Sequence, residues 1–264
     1  MVIDAGLVGQ TLRVQHAAMR PHRFHVSNLA GDNVTVTGPE ARHAASVLRL
    51  GVGDAVQLFD GQGGQCDGVI QAIDAASLVV AITVRGDTSS TVGIELTLAT
   101  AIPKGPRADW MVEKCAELGV AVLQPIHFAR SVVEPGMGKL ERWRRLALSA
   151  AKQSGTARSM AIREPMPLGA FLIGLGESTC LFGVTQGGAP ALIDRLSKLT
   201  EGSPPLGSLA ILIGPEGGFT TEECLILDGA GVLPASWARS VLRIETAAIA
   251  AAAVFAAHVP IDPQ

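Results

Sequence analysis

Leu209-Ala210-Ile211-Leu212-Ile213-Gly214-Pro215-Glu216-Gly217-Gly218-Phe219-Thr220 carries an unbroken apolar run into a turn of glycine and proline. An apolar run without polar alternation reads as a parallel strand buried on both faces. Thr220 or Thr221 can cap a following helix, with Glu223 nearby. Glycines at the carboxyl end of such a strand let a ligand approach the backbone closely. An ordinary tight turn would use the same glycines, but a turn alone needs no carboxylate at Glu216. The segment is not GxGxxG, and the Lys-Ser/Thr of a phosphate-binding loop is absent.

Downstream, Ser240-Val241-Leu242-Arg243-Ile244-Glu245-Thr246-Ala247-Ala248 leads into an alanine-rich helix. Arg243 and Glu245, two residues apart, suggest a polar loop held by its own ion pair. A helix start with Glu245 favoured by the macrodipole would explain the same residues.

Upstream, strand and helix patterns alternate back to residue 94. Glu95 to Ala101, Val120 to Ile126 and Thr179 to Val184 read as strands. Ala108 to Leu118, Leu140 to Gln153, Glu222 to Ala230 and Thr246 to Ala257 read as helices. This rhythm predicts an α/β domain with a mostly parallel sheet. Arg85 to Gly93 is rich in Ser, Thr and Gly and reads as a linker. Before it the pattern is β-rich. Arg23 to Val26, Asn33 to Thr37, Val56 to Phe59, Gln65 to Ile73 and Leu78 to Val84 are strand-like, with a hairpin turn at Asp60-Gly61. Ala41 to Leu50 is the one helical stretch, stopped by Gly51 and Gly53. Strands with a single short helix predict a small barrel-like domain. Residues 1–18 read as an extension.

Composition sets the outer bounds. The 264 residues are 48% hydrophobic and 17% charged, which excludes a disordered chain. No apolar run has the length and flanks of a transmembrane helix, and the N-terminus lacks a signal-peptide pattern. Cys66, Cys115, Cys180 and Cys224 form no CxxC pair, so neither a zinc ribbon nor a redox motif is indicated. Reduced, mostly buried thiols in a cytoplasmic protein are expected, and no metal site. Net charge is −3, yet Lys104 to Arg163 holds eleven Lys/Arg against five Asp/Glu. A basic face on a protein acidic overall, or plain solvated helix surface, would both fit.

Taken together, the Gly214 to Gly218 loop and Leu242-Arg243-Ile244-Glu245-Thr246-Ala247 resemble the RsmE family of 16S rRNA uridine-N3 methyltransferases in the SPOUT superfamily. Other segments agree, in order: Arg42-His43-Ala44-Ala45-Ser46-Val47-Leu48-Arg49-Leu50, Phe59-Asp60-Gly61, Pro103-Lys104-Gly105, Lys114-Cys115-Ala116-Glu117-Leu118-Gly119-Val120, Arg130-Ser131, and Ala150-Ala151-Lys152-Gln153-Ser154-Gly155. Ile244 stands where the family often has Thr, and Lys152 where Glu is common. The resemblance spans roughly residues 20 to 257.

The resemblance implies a PUA-like RNA-binding β-barrel over 19–88 and a SPOUT α/β methyltransferase domain with a C-terminal trefoil knot over 92–264. Generic fold rules would have excluded a knot. It implies S-adenosylmethionine as cofactor, with S-adenosylhomocysteine as product. It also implies 16S rRNA or the small ribosomal subunit as partner, and a homodimer. The cofactor pocket would be lined by Gly183, Leu212, Ile213, Gly214, Pro215, Glu216, Gly217, Gly218, Val241, Leu242 and Arg243.

Uridine N3 is only weakly acidic, so its proton must be removed or the anion stabilised. Arg243 is the candidate for anion stabilisation, and Glu216 or Glu245 for positioning or deprotonating the base. Arg20, Arg23, Arg42, His43, Arg49, Lys104, Arg107, Arg130, Lys152 and Arg158 are candidate RNA contacts. Arg142 and Arg145 join them. Three other readings remain open at this stage: a SPOUT enzyme with another RNA target, a non-catalytic RNA-binding assembly factor, and a nucleotide-binding enzyme.

Overall fold

The computed structural model describes residues 21–86, 94–176, 178–184, 188–200 and 207–258. The N-terminal extension, Arg20 and most of the expected linker lie outside the described residues. Arg85, read as the linker's first residue, instead ends a strand and donates to the carbonyls of Leu29 and Gly31.

The small domain is a five-stranded sheet of β1 (His22–His25), β2 (Asn33–Thr37), β3 (Ala55–Phe59), β4 (Gln65–Ile73) and β5 (Ser77–Arg85). Its order is β1-β3-β4-β5-β2, parallel only between β1 and β3. Alternation decides which face is buried: Val34 and Val36 in β2, and Leu78 and Val80 in β5, point into one core with Phe24, Val56, Leu58 and Ile70. Gly68 is required where β4 crosses β5, since a Cβ there would lie 2.5 Å from the Ala81 carbonyl oxygen.

The helical stretch expected over Ala41 to Leu50 is present, but it ends at Val47 and changes geometry part-way. A single α-turn, α1 (Pro39–Arg42), passes into a π-helical turn over His43–Val47, where Leu48 N–H bonds the His43 carbonyl at 3.0 Å. Arg49 then adopts a left-handed φ of 55°. The reason is packing. Ala41, Ala44 and Leu48 suit one helical face, but Leu50 does not; reversing the chain at Arg49 returns Leu50 to the same core.

The large domain is a parallel sheet built from β6 (Glu95–Thr100), β7 (Val122–His127), β8 (Ala161–Ile162), β9 (Met166–Pro167), β10 (Thr179–Gly183), β11 (Ser208–Ile213) and β12 (Leu233–Ala235). The order is β12-β10-β11-β6-β7-β8, with β9 also on β7. β11 is buried from Leu209 to Ile213, as its apolar run requires. Around the sheet lie α2 (Pro106–Glu117), α3 (Met137–Ser154), α4 (Leu168–Gly174), α5 (Leu192–Thr200), α6 (Thr221–Gly229) and α7 (Ile244–His258). α2 packs on both α3 and α7, and α7 also touches β6 and β11. Small alanines on α7 (Ala248, Ala251 and Ala252) are fully buried and allow this close approach.

The two domains touch. The Asp60–Gly64 tip of the β3–β4 hairpin docks on the segment that follows α3, with Gly63 N–H to the Ala157 carbonyl and Ser159 N–H to that of Gly61. Lys152 pairs with Glu40 at 2.7 Å, and Arg23 donates to the Thr156 carbonyl while stacking over Phe59. No helix among the described residues is long and apolar enough to cross a membrane.

Candidate active site

β10 and β11 are neighbours, and their carboxyl ends deliver Gly183 and Gly214 to the same edge of the sheet. A cavity of about 530 Å³ opens there. Its wall contains Gly183, Ile213, Gly214, Pro215, Glu216, Gly217, Gly218, Val241 and Leu242, so the two motif segments, far apart in sequence, meet in space. Leu212 does not reach it. That side chain is fully buried in the core, because adjacent residues of a strand face opposite sides.

Sequence reading missed the aromatic walls. The Phe219 ring lies against Gly214, where a Cβ would sit 2.7 Å from it, and the Trp237 ring lies against Gly183, where a Cβ would sit 2.5 Å away. Phe219 is wedged edge-on between Phe128 and Phe182, with centroids 5.5 and 5.9 Å away. Trp237 is fixed by its indole N–H, which donates to the Ala247 carbonyl at 3.1 Å. A glycine ending an apolar strand signals such close approach, but nothing local in the sequence says which ring approaches.

The glycine turn is held from outside. Thr220 and Glu223 form a reciprocal capping box on α6, and the second Glu223 oxygen accepts the Ala129 N–H at 2.8 Å. That bond brings in Arg130, whose guanidinium donates to the Gly217 carbonyl at 2.6 Å. Arg130 therefore braces the loop, although the sequence suggested an RNA contact.

Beside the cavity is a recess of about 460 Å³ lined by Arg107, Glu216, Val241, Leu242 and Arg243. Glu216 belongs to both spaces. The expected ion pair between Arg243 and Glu245 does not form. Arg243 caps α7, its carbonyl accepting the Ala247 N–H, and its side chain is exposed on the recess. Glu245 lies in the first turn of α7, and residues two apart on a helix diverge by roughly 200°. It points inward, 4% exposed, and pairs with Arg107 at 3.4 Å. Arg107 reaches Glu216 at the same distance.

Of the remaining basic candidates, Arg42, His43, Arg49 and Lys104 are exposed and make no ion pair with a described residue. Lys152 and Arg23 serve the domain contact, as above. Arg158 pairs with Glu95 and Arg142 with Asp109, at 2.8 and 2.9 Å. Among the described residues no cluster of His, Cys, Asp or Glu is suited to a metal ion. Cys66, Cys115 and Cys180 are buried, and burial pushes the Cys115 and Cys180 thiols up to about 12.

Comparison with known proteins agrees with this geometry. Residues 90–256 match the model of an RNA methyltransferase domain, and residues 36–83 that of an RNA methyltransferase PUA domain. The ribosomal RNA small subunit methyltransferase E of Synechocystis sp. is 30% identical over 81% of this chain and 69% of its own length. The protein of the same name from Mycobacterium tuberculosis is 29% identical, over 86% and 88%. The crystal structure of ribosomal RNA small subunit methyltransferase E from Neisseria gonorrhoeae, bound to S-adenosylmethionine, superposes with a TM-score of 0.74 at 28% identity, over 89% of this chain and 97% of that one. An RNA methyltransferase domain behind a PUA domain, with both motif loops on one cavity, places this chain in the RNA methyltransferase family whose members are named ribosomal RNA small subunit methyltransferase E.

Proposed function

We propose that the chain transfers a methyl group from S-adenosylmethionine to N3 of one uridine in 16S rRNA of the small ribosomal subunit. The observation that carries this reading is the cavity shared by the two motif loops, joined through Glu216 to a recess flanked by Arg107 and Arg243. The residues fit the cofactor. The volume lies within the range of about 300–1,000 Å³ usual for small-molecule sites, and Gly183 and Gly214 keep side-chain atoms out of a cradle walled by Trp237 and Phe219. Bound there, S-adenosylmethionine supplies an electrophilic methyl group and calls for no metal.

The chain's own work is on the base. Of the two carboxylates, Glu216 is half exposed and lines the recess, whereas Glu245 is enclosed by packing. Glu216 is thus the group that orients or accepts the N3 proton. Arg243, exposed on the recess and without an ion pair among the described residues, stabilises negative charge developing on the uracil carbonyls. Among the described candidates, Arg42, Arg49, Lys104 and Arg145 are exposed arginines and lysines outside any ion pair and are available for phosphate contacts.

The family's trefoil-knotted backbone and homodimer belong to the same reading. The crossed strand order β12-β10-β11-β6 supports the first. Nucleoside mass spectrometry of small-subunit rRNA from a deletion strain tests the function. Loss of the N3-methyl from one uridine is expected; an unchanged methylation pattern would refute it.

A further inference from the structure

Arg107 sits in the first turn of α2, directly after Pro106. One of its nitrogens, Nη1, lies 3.4 Å from Glu216 Oε1 and 3.4 Å from Glu245 Oε1. The carboxylates come from the turn after β11 and the first turn of α7, so one side chain joins both motif segments to a third element. Their surroundings differ sharply: the Glu216 side chain is 48% exposed and that of Glu245 only 5%. The second Glu245 oxygen, Oε2, is buried and has no donor among the described residues. A buried carboxylate is costly without a cation beside it. Glu245 therefore fixes Arg107 from the buried side, and the nitrogen it holds, Nη1, is the one that also meets Glu216.

We propose that Arg107 is a positioning residue: anchored by buried Glu245, it holds Glu216 at the boundary between the cavity and the recess. The proposal rests on the methyl-transfer reading above. It replaces the phosphate-contact role that the sequence suggested, since a cation shared by two carboxylates has its charge already offset. It also gives Glu245 work that needs no contact with the base.

Three variants test it. Arg107→Gln leaves Glu245 without its cation, and Tm of the cofactor-free protein falls by roughly 5–10 °C. Its kcat on small-subunit particles falls on the order of 100-fold, because Glu216 is no longer held in register, while KM changes much less. In the double variant Arg107→Gln/Glu245→Gln the buried charge is gone, and Tm returns to within about 2 °C of the wild type. Its kcat stays low, since nothing restores Glu216. Arg107→Lys keeps the charge without the planar fork and gives an intermediate kcat. A merely structural Arg107 would instead let the double variant regain kcat along with Tm. That result overturns the proposal, as does full kcat in Arg107→Gln or a Tm that the second substitution fails to restore. A wild-type protein that methylates no uridine defeats the methyl-transfer reading instead, and the Tm comparison still reports whether Arg107 and Glu245 are coupled.

Discussion

At Gly214 an added methyl would meet three atoms of the Phe219 ring at 2.7–3.0 Å. That ring is wedged edge-on between Phe128 and Phe182, so it can yield only towards the cavity it lines. Gly214→Ala is therefore expected to destabilise the protein by roughly 1–3 kcal/mol through overpacking. It should also weaken S-adenosylmethionine binding at least about tenfold, or some 1.4 kcal/mol, by moving a cavity wall; calorimetry checks both. Exposure makes a second prediction. Glu216→Gln should lower kcat by about 10²–10⁴-fold if it handles the N3 proton, with little change in Tm, and single-turnover assays read this directly. The thiols make a third. Burial holds Cys115 and Cys180 protonated up to about pH 12, so in the folded protein at pH 8 iodoacetamide should label exposed Cys224 and spare both. The sign for stability follows. Thiols raised on folding favour the native state below their unfolded value near 9 and withdraw that support as pH climbs towards 12. Peptide mass spectrometry after labelling would show modified Cys115 if this burial is wrong.

At the scale of elements, α6 shows how local signals reach the site. Thr220→Ala removes one half of a capping box and should cost about 1 kcal/mol in denaturant unfolding. Glu223→Ala should cost more, because Glu223 also holds the Ala129 N–H and through that loop the Arg130 brace on Gly217. The central strands were legible because burial on both faces leaves an unbroken apolar run, as in Leu209 to Ile213. β8 and β9, with two residues each, and β12, with three including Pro234, are too short for any period to show. α5 was passed over although Leu192 and Leu196 stand one helical turn apart and are both buried. The π-turn at His43–Val47 escaped for a different reason: its cause is the need to return Leu50 to the core, a tertiary demand that no local pattern records.

For the whole molecule, charge is where sequence and structure part. The basic stretch from Lys104 to Arg163 left a basic face and plain solvated helix surface both open. Three of its eleven cations are paired with carboxylates that lie elsewhere in the chain: Lys152 with Glu40, Arg158 with Glu95, and Arg107 with Glu216 and Glu245. Counting charges within a segment misses partners more than 50 residues away, as Glu95 is from Arg158. The motif loops were legible for the opposite reason: the first gathers its glycines around Glu216 and the second sets Arg243 close to Glu245, although Leu212 turns into the core and Arg243 lines the recess and not the cavity. RNA affinity should separate the two kinds of cation. Arg49→Gln should weaken binding and reduce the slope of log K against log salt by about one. Lys152→Gln should leave that slope unchanged and instead loosen the contact between the domains.

The central claim is methyl transfer to uridine N3 by the joined motif loops. Its most direct test is incubation of the purified protein with small-subunit particles lacking the modification and S-adenosylmethionine bearing a deuterated methyl group, followed by nucleoside mass spectrometry. The expected result is deuterated N3-methyluridine at one position, reduced on the order of 100-fold or more by Arg243→Ala. Label on a ribose oxygen, on another base, or in no nucleoside at all would contradict it.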